Sequence, residues 1–364
     1  MPEKAVAAVM VGPNIMETRE IDIPDIGEDD ALLRVEAAGV CGTDYEWFRG
    51  DLPIPYPLIL GHEPLGLIEA IGPEASRRWG VAAGDRVAVR SAYRCGRCEA
   101  CREHPDQPCP SDGRFGSTAL ERRPGLWGAF AQFMYLPPGA VVYPMDKALP
   151  AEVAVMFNPL GAGYSWAVEA TGLEPGNSIA ILGPGARGLC SVIAARDAGA
   201  SLVAVTGLGS DEHKLASARE LGADLAINVD GEDPVERVME VTGGKGVDVV
   251  LDTTPYAVSA VTQAVGMVKV GGAVVLAGLK GGRPLADLSS DDIIRKQATI
   301  KGVRGVAFGA FERAVKAIHS GRFPLHRLHT HSFPIEAAEQ AIMTLSGESQ
   351  QPSIHVAIVP KPPA

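Results

Sequence analysis

At 364 residues the chain is long enough for two domains, each with a core of its own. Its 46% hydrophobic and 21% charged residues are those of an ordinary globular protein. A net charge of −11 argues against a nucleic-acid or anionic-membrane surface, which would repel it at long range, and favours small polar or neutral partners. No apolar run approaches the roughly 18 residues of a membrane span, and the opening MPEKAVAAVMVG lacks the pattern of a secretory signal. The expected compartment is the cytoplasm.

Residues 1 to about 150 are rich in Gly and Pro and carry short β-type runs such as LLRVEAAGV and VAAGDRVAV, as in an irregular, mostly antiparallel unit. From about 160 the texture changes. SIAILG (178–183), LVAVT (202–206), DLAINV, VDVVLD (247–252) and AVVLAG (273–278) alternate with helical stretches. Buried β-branched strands separated by amphipathic helices indicate an α/β unit with a parallel sheet. After ATIKGV (298–303), the helical FERAVKAIHSG and the closing IHVAIV leave that pattern and are expected to return to the first unit.

Within the first unit, Cys95, Cys98, Cys101 and Cys109 stand as C-x2-C-x2-C-x7-C. Four thiolates at this spacing close around one tetrahedral zinc without an open position, as a structural site requires. A DNA-binding ribbon is the rival reading, disfavoured by the acidic charge. Cys190, the remaining cysteine besides Cys41, falls in a helix and reads as core.

Gly183-Pro184-Gly185-Ala186-Arg187-Gly188 is a G-x-G-x-x-G between a predicted strand and a predicted helix. The first glycine permits the tight turn, the second admits a pyrophosphate, and the third allows close helix–sheet packing. Arg187 suits pairing with the pyrophosphate or a solvated position. The next strand ends in Thr206-Gly207 with no acid at its tip; Asp211 follows, beside His213 and Lys214. A 2′-phosphate would find basic groups there, and a free ribose hydroxyl would find Asp211, so NAD and NADP both fit. Asp211 also suits a helix cap.

A second ligand-type constellation lies in AAGVCGTDYE and LILGHEPLG. Cys41 and His62 make half of an open catalytic zinc site, and Asp44 suits the role of holding the His62 imidazole in one tautomer.

Taken together, GVCGTD, GHEPLG, AAGDRV, the four cysteines, ILGPGARG and ARELGAD resemble, over essentially the whole chain, the zinc-dependent medium-chain dehydrogenases that include alcohol, sorbitol and threonine dehydrogenases. The resemblance implies a GroES-like catalytic domain formed by 1–159 and 305–364, enclosing a Rossmann domain at 160–304. It also implies hydride transfer between an alcohol or polyol and NAD or NADP, and homodimers or homotetramers joined through the strand ATIKGV. By the same resemblance, Cys41 and His62 are catalytic zinc ligands, Glu63 is a carboxylate able to reach the metal, and Thr43 starts a proton relay. Glu46 stands where many relatives carry histidine, and still accepts a proton. Asn158, in MFNPLG, stands where polyol-type relatives have a glutamate that ligates zinc. A neutral amide is a poor zinc ligand, so Asn158 is expected to hydrogen-bond substrate and Glu63 to enter the metal shell. The alternatives are a reductase without the catalytic zinc and a non-catalytic dinucleotide-binding protein.

Overall fold

The computed structural model describes residues 2–94, 98–103, 109, 113–285, 287–349 and 351–361. The chain divides into two compact units, 1–158 with 325–364 and 159–324.

The first unit opens with β1 (Lys4–Gly12) and β2 (Ile15–Asp22), an antiparallel pair. β3 (Ala31–Val40) runs directly into the helix α1 (Gly42–Arg49). The short β4 (Leu58–Ile59) adds to β1, and β5 (Glu63–Ile71) pairs antiparallel with β3. β6 (Arg86–Val89), β7 (Phe133–Leu136) and β8 (Val142–Pro144) extend the same sheet. The buried faces of these strands enclose a core built around Phe48, Phe115, Phe130 and Phe133.

The helix α2 (Phe157–Gly163) leads into the second unit. There β9 (Ser178–Leu182), the helix α3 (Ala186–Asp197), β10 (Leu202–Gly207), β11 (Leu225–Asn228), β12 (Val247–Asp252), β13 (Val268–Leu276) and β14 (Thr299–Gly302) follow in turn. All pairings are parallel, in the order β11-β10-β9-β12-β13-β14. This is the doubly wound 3-2-1-4-5-6 arrangement, whose strand order reverses between β9 and β12. Its strands are apolar on both faces because helices cover both, which is why they read as unbroken Val/Ile/Leu runs. β13 begins five residues before the expected AVVLAG and takes in two glycines.

Residues 305–324, expected above with the first domain, fall in this unit. Trp166 Nε1 donates to the Gly305 carbonyl at 2.7 Å and the Ala307 amide donates to Ser165 Oγ at 3.1 Å. The helix α4 (Phe308–His319) lays Phe311 against Gly161, where a side chain would meet its ring at 3.0 Å. These ties, between residues far apart in sequence, outweigh the change of sequence texture that suggested an earlier return.

The chain then rejoins the first sheet. β15 (His329–Phe333) and β16 (His355–Ile358) pair parallel, and β16 pairs antiparallel with β3. The sheet order is β8-β6-β5-β3-β16-β15.

Candidate metal and dinucleotide sites

Two junctions deliver the first site. Cys41 ends the extended run of β3 and is the N-cap of α1, and the Asp44 carboxylate accepts its amide at 2.9 Å. A carboxylate in the first turn of a helix satisfies an amide that has no intrahelical partner. Gly61, at φ +91°, turns the chain into His62, and Glu63 is the first residue of β5. A side chain at Gly61 would meet the Phe130 ring at 2.5 Å, so only glycine allows this turn.

The donor atoms of Cys41, His62 and Glu63 lie within 4.8 Å of one another, all three residues buried. His62 Nδ1 lies 3.2 Å from Asp44 Oδ1, and Asp44 is 0% exposed. The imidazole therefore gives its Nδ1 hydrogen to Asp44 and keeps Nε2 for a metal. Trp47 meets the His62 ring edge-on, with centroids 5.4 Å apart. Burial opposes charge on His62, yet the Asp44 carboxylate, with help from Cys41, raises its pKa to about 10. The pocket thus favours a positive charge where these groups converge. The donor set fits zinc: one thiolate, one imidazole and one carboxylate supply two negative charges for a divalent ion.

Thr43 is half-buried and Glu46 buried, one turn apart on α1. Asn158 lies on α2, buried, and its Oδ1 has no hydrogen-bond partner among the described residues.

In the second sulfur cluster, Cys98 Sγ lies 3.4 Å from Cys101 Sγ and 3.8 Å from Cys109 Sγ. These separations are far too long for disulfides and match the edge of a tetrahedron with zinc–sulfur bonds of about 2.3 Å. Cys95 lies outside the described residues. Cys190 is buried within α3, as expected of a core position.

The glycine loop joins β9 to α3 at the point where strand order reverses. Gly183 adopts φ +96°, and a side chain on Gly188 would lie 1.9 Å from the Gly183 carbonyl oxygen. A side chain on Gly185, the N-cap of α3, would meet no atom of the described residues within 4 Å. Folding therefore demands the first and third glycines, while the second faces open space at a helix N-terminus, where Ala186 and Gly188 begin the helix. This fits a bound pyrophosphate. Arg187 stacks over Trp166, 5.1 Å from the ring centroid. Thr206 and Gly207 close β10, buried. Beyond them Asp211 pairs with Lys214 at 2.8 Å and accepts the Leu208 amide at 3.3 Å.

Motif reading missed two groups. Asp252, at the end of β12, forms a buried ion pair with Lys280 at 2.7 Å, beside Thr253, whose hydroxyl donates to the Gly183 carbonyl at 3.1 Å. The acid closing the apolar run VDVVLD was the available signal. His329 and His355, on β15 and β16, belong to no motif.

The comparisons with known proteins agree with this geometry. The family model for the alcohol dehydrogenase GroES-like domain matches residues 27–147, and that for the zinc-binding dehydrogenase matches residues 186–320. A "Probable alcohol dehydrogenase" of Mycobacterium tuberculosis is 42% identical, over 97% of this chain and 98% of its own. The chain belongs to the zinc-dependent medium-chain dehydrogenases. Bacillus subtilis sorbitol dehydrogenase is 32% identical over 94% of each chain. A Sinorhizobium meliloti protein solved bound to NADP superposes with a TM-score of 0.87 at 26% identity, covering 99% of this chain and 100% of its own. This zinc-dependent medium-chain dehydrogenase is an NAD(P)-linked oxidoreductase of small-molecule alcohols or polyols. Loss of the catalytic zinc is not favoured, since Cys41, His62 and Glu63 are all present and gathered. No helix among the described residues is long and apolar enough to cross a membrane.

Proposed function

We propose that Cys41, His62 and Glu63 hold the catalytic zinc, that Asn158 binds substrate, and that the enzyme oxidises a secondary alcohol, polyol or sugar. The observation that carries this reading is the convergence of the three donor atoms within 4.8 Å around an imidazole oriented by Asp44. Zinc held by Cys41, His62 and Glu63 would supply Lewis-acid polarisation of an alcohol oxygen, and a dinucleotide held by the glycine loop would supply the hydride acceptor. Thr43 takes up the alcohol proton through its hydroxyl, and Glu46, one turn along α1, accepts it onward. Without a carboxylate at Asn158, Glu63 is the group that completes neutralisation of the metal. The Asn158 Oδ1, without a partner among the described residues, is then available to a substrate hydroxyl.

In the second unit, Gly183, Gly185 and Gly188, with the amides of Ala186 and Arg187, cradle the pyrophosphate of NAD(P). Thr206, Gly207, Asp211 and Lys214 flank its adenosine ribose. Cys95, Cys98, Cys101 and Cys109 hold a structural zinc. The enzyme works in the cytoplasm as a homodimer or homotetramer. Exposed Val270, Leu279 and Ile294, with β14 ending the second sheet, support association through that unit.

The test combines metal analysis with a panel of alcohols, polyols and sugars, assayed with NAD and NADP. Two zinc ions per chain are expected. Glu63→Gln should remove one zinc together with activity, while Asn158→Ala should raise KM with metal content unchanged. A wild type with one zinc, or full zinc in Glu63→Gln, would overturn the assignment.

A further inference from the structure

His355 is a buried imidazole that no step above uses. We propose that it is a positioning residue for Glu63, presenting an N–H to the Glu63 carboxylate across the gap left by Gly39. The inference rests on Glu63 belonging to the catalytic zinc shell.

The pairing of four neighbouring strands sets up the arrangement. Glu63 of β5 stands opposite Gly39 of β3, and Gly39 stands opposite Ala357 of β16. Directly opposed residues share a face, as do residues two apart on one strand. His355 therefore lies on the same face as Ala357, Gly39 and Glu63, and His329 of β15, opposite His355, joins them. Because Gly39 has no side chain, it places nothing between Glu63 and His355. A methyl group placed on Gly39 would lie 2.6 Å from Glu63 Oε2 and 3.3 Å from His355 Nε2. The two groups thus face one space.

The hydrogen bonds on the far side decide which nitrogen of His355 carries the proton. His355 Nδ1 lies 3.0 Å from His329 Nδ1, and His329 Nε2 lies 2.8 Å from Ser332 Oγ. His355 Nε2 has no hydrogen-bond partner among the described residues and is buried. If His355 donated from Nδ1, its Nε2 lone pair would face a carboxylate in a dry interior, two acceptors opposed. The opposite tautomers remove that conflict. Ser332 donates to His329 Nε2, His329 Nδ1–H donates to His355 Nδ1, and His355 Nε2–H is left for the space shared with Glu63. A neutral N–H donor there orients the carboxylate and leaves its whole charge to the metal.

Cobalt(II) binding to the full-length protein tests this, read by chelator competition and by the visible d–d bands of the catalytic site. His355→Phe keeps an aromatic ring of similar bulk and removes the donor. It should lower Co2+ affinity about 10- to 100-fold, the usual effect of deleting a group that orients a ligand, and shift the bands. The bands of the Cys98 lobe should stay unchanged. His355→Gln, whose amide N–H reaches a similar point, should restore most of the affinity. Wild-type Co2+ affinity and bands in His355→Phe would overturn the proposal. Should that variant not fold, His329→Ala, which frees the tautomer, decides instead: shifted bands support the proposal and unchanged bands overturn it. Glu63→Gln separates the two levels. If it too binds Co2+ as wild type does, the assignment of Glu63 is wrong and both readings fall. If it perturbs Co2+ while His355→Phe does not, only the role of His355 falls.

Discussion

Replacing the second and third glycines of the dinucleotide loop should have opposite consequences, although the two lie three residues apart. At Gly185, φ is −64°, a value open to any residue, and a side chain would enter empty space. Gly185→Val therefore costs the fold only the poorer N-cap propensity of valine, about 1 kcal/mol, or roughly 2–4 °C in a unit of this size. The same isopropyl group occupies the space a pyrophosphate needs, so NAD(P)H affinity should fall by at least about 100-fold, or ~2.7 kcal/mol. At Gly188 the balance reverses. A methyl group would sit 1.9 Å from the Gly183 carbonyl oxygen, so α3 must lift off the sheet. Gly188→Ala should cost about 3 kcal/mol or more. Thermal unfolding reads the first quantity and quenching or enhancement of nicotinamide fluorescence reads the second. A Gly185→Val protein that binds NAD(P)H normally, or one that unfolds as early as Gly188→Ala, would refute the argument.

Three further outcomes are expected. Asp44→Asn keeps the shape of the side chain but removes the charge that orients His62, so catalytic zinc affinity should fall about 10- to 100-fold while the second zinc is retained, as chelator competition would show. Cys98→Ser removes a sulfur lying 3.4 and 3.8 Å from its neighbours, and should lower thermal stability and metal content without changing kcat per catalytic zinc. Above pH 6.5, His355 is neutral whether the chain is folded or not; below it, only the unfolded chain takes up the proton, until the folded pKa near 3 is reached. Stability should therefore fall on acidification, by about 1 kcal/mol between pH 7 and 5.5, and urea midpoints of His355→Gln should lack that part of the slope.

Short-range chemistry was legible from the chain itself. Four cysteines in one short stretch, a glycine loop between strand and helix, and the alternation of apolar strands with helices all depend on neighbours within a few residues. Their reading carried over to the gathering of Cys98, Cys101 and Cys109, the form of the loop and the parallel sheet. The acid–imidazole pair of Asp44 and His62 was also readable, because both residue types sit in recognisable segments. What strand pairing decides was not readable. The return of the chain to the first sheet occurs at 325 rather than 305, because Trp166 and Ser165 hold 305–307 through bonds that span some 140 residues. Asp211 and Lys214 pair with each other, a rotamer choice that spacing leaves open. His355 and Glu63 come to border one space only because β3 is flanked by β5 on one side and β16 on the other, with a glycine at the crossing point. Periodicity tells which face of a strand is buried, but not which distant strand will lie beside it. That partner is chosen by the whole core, and with it the last groups to surround the metal.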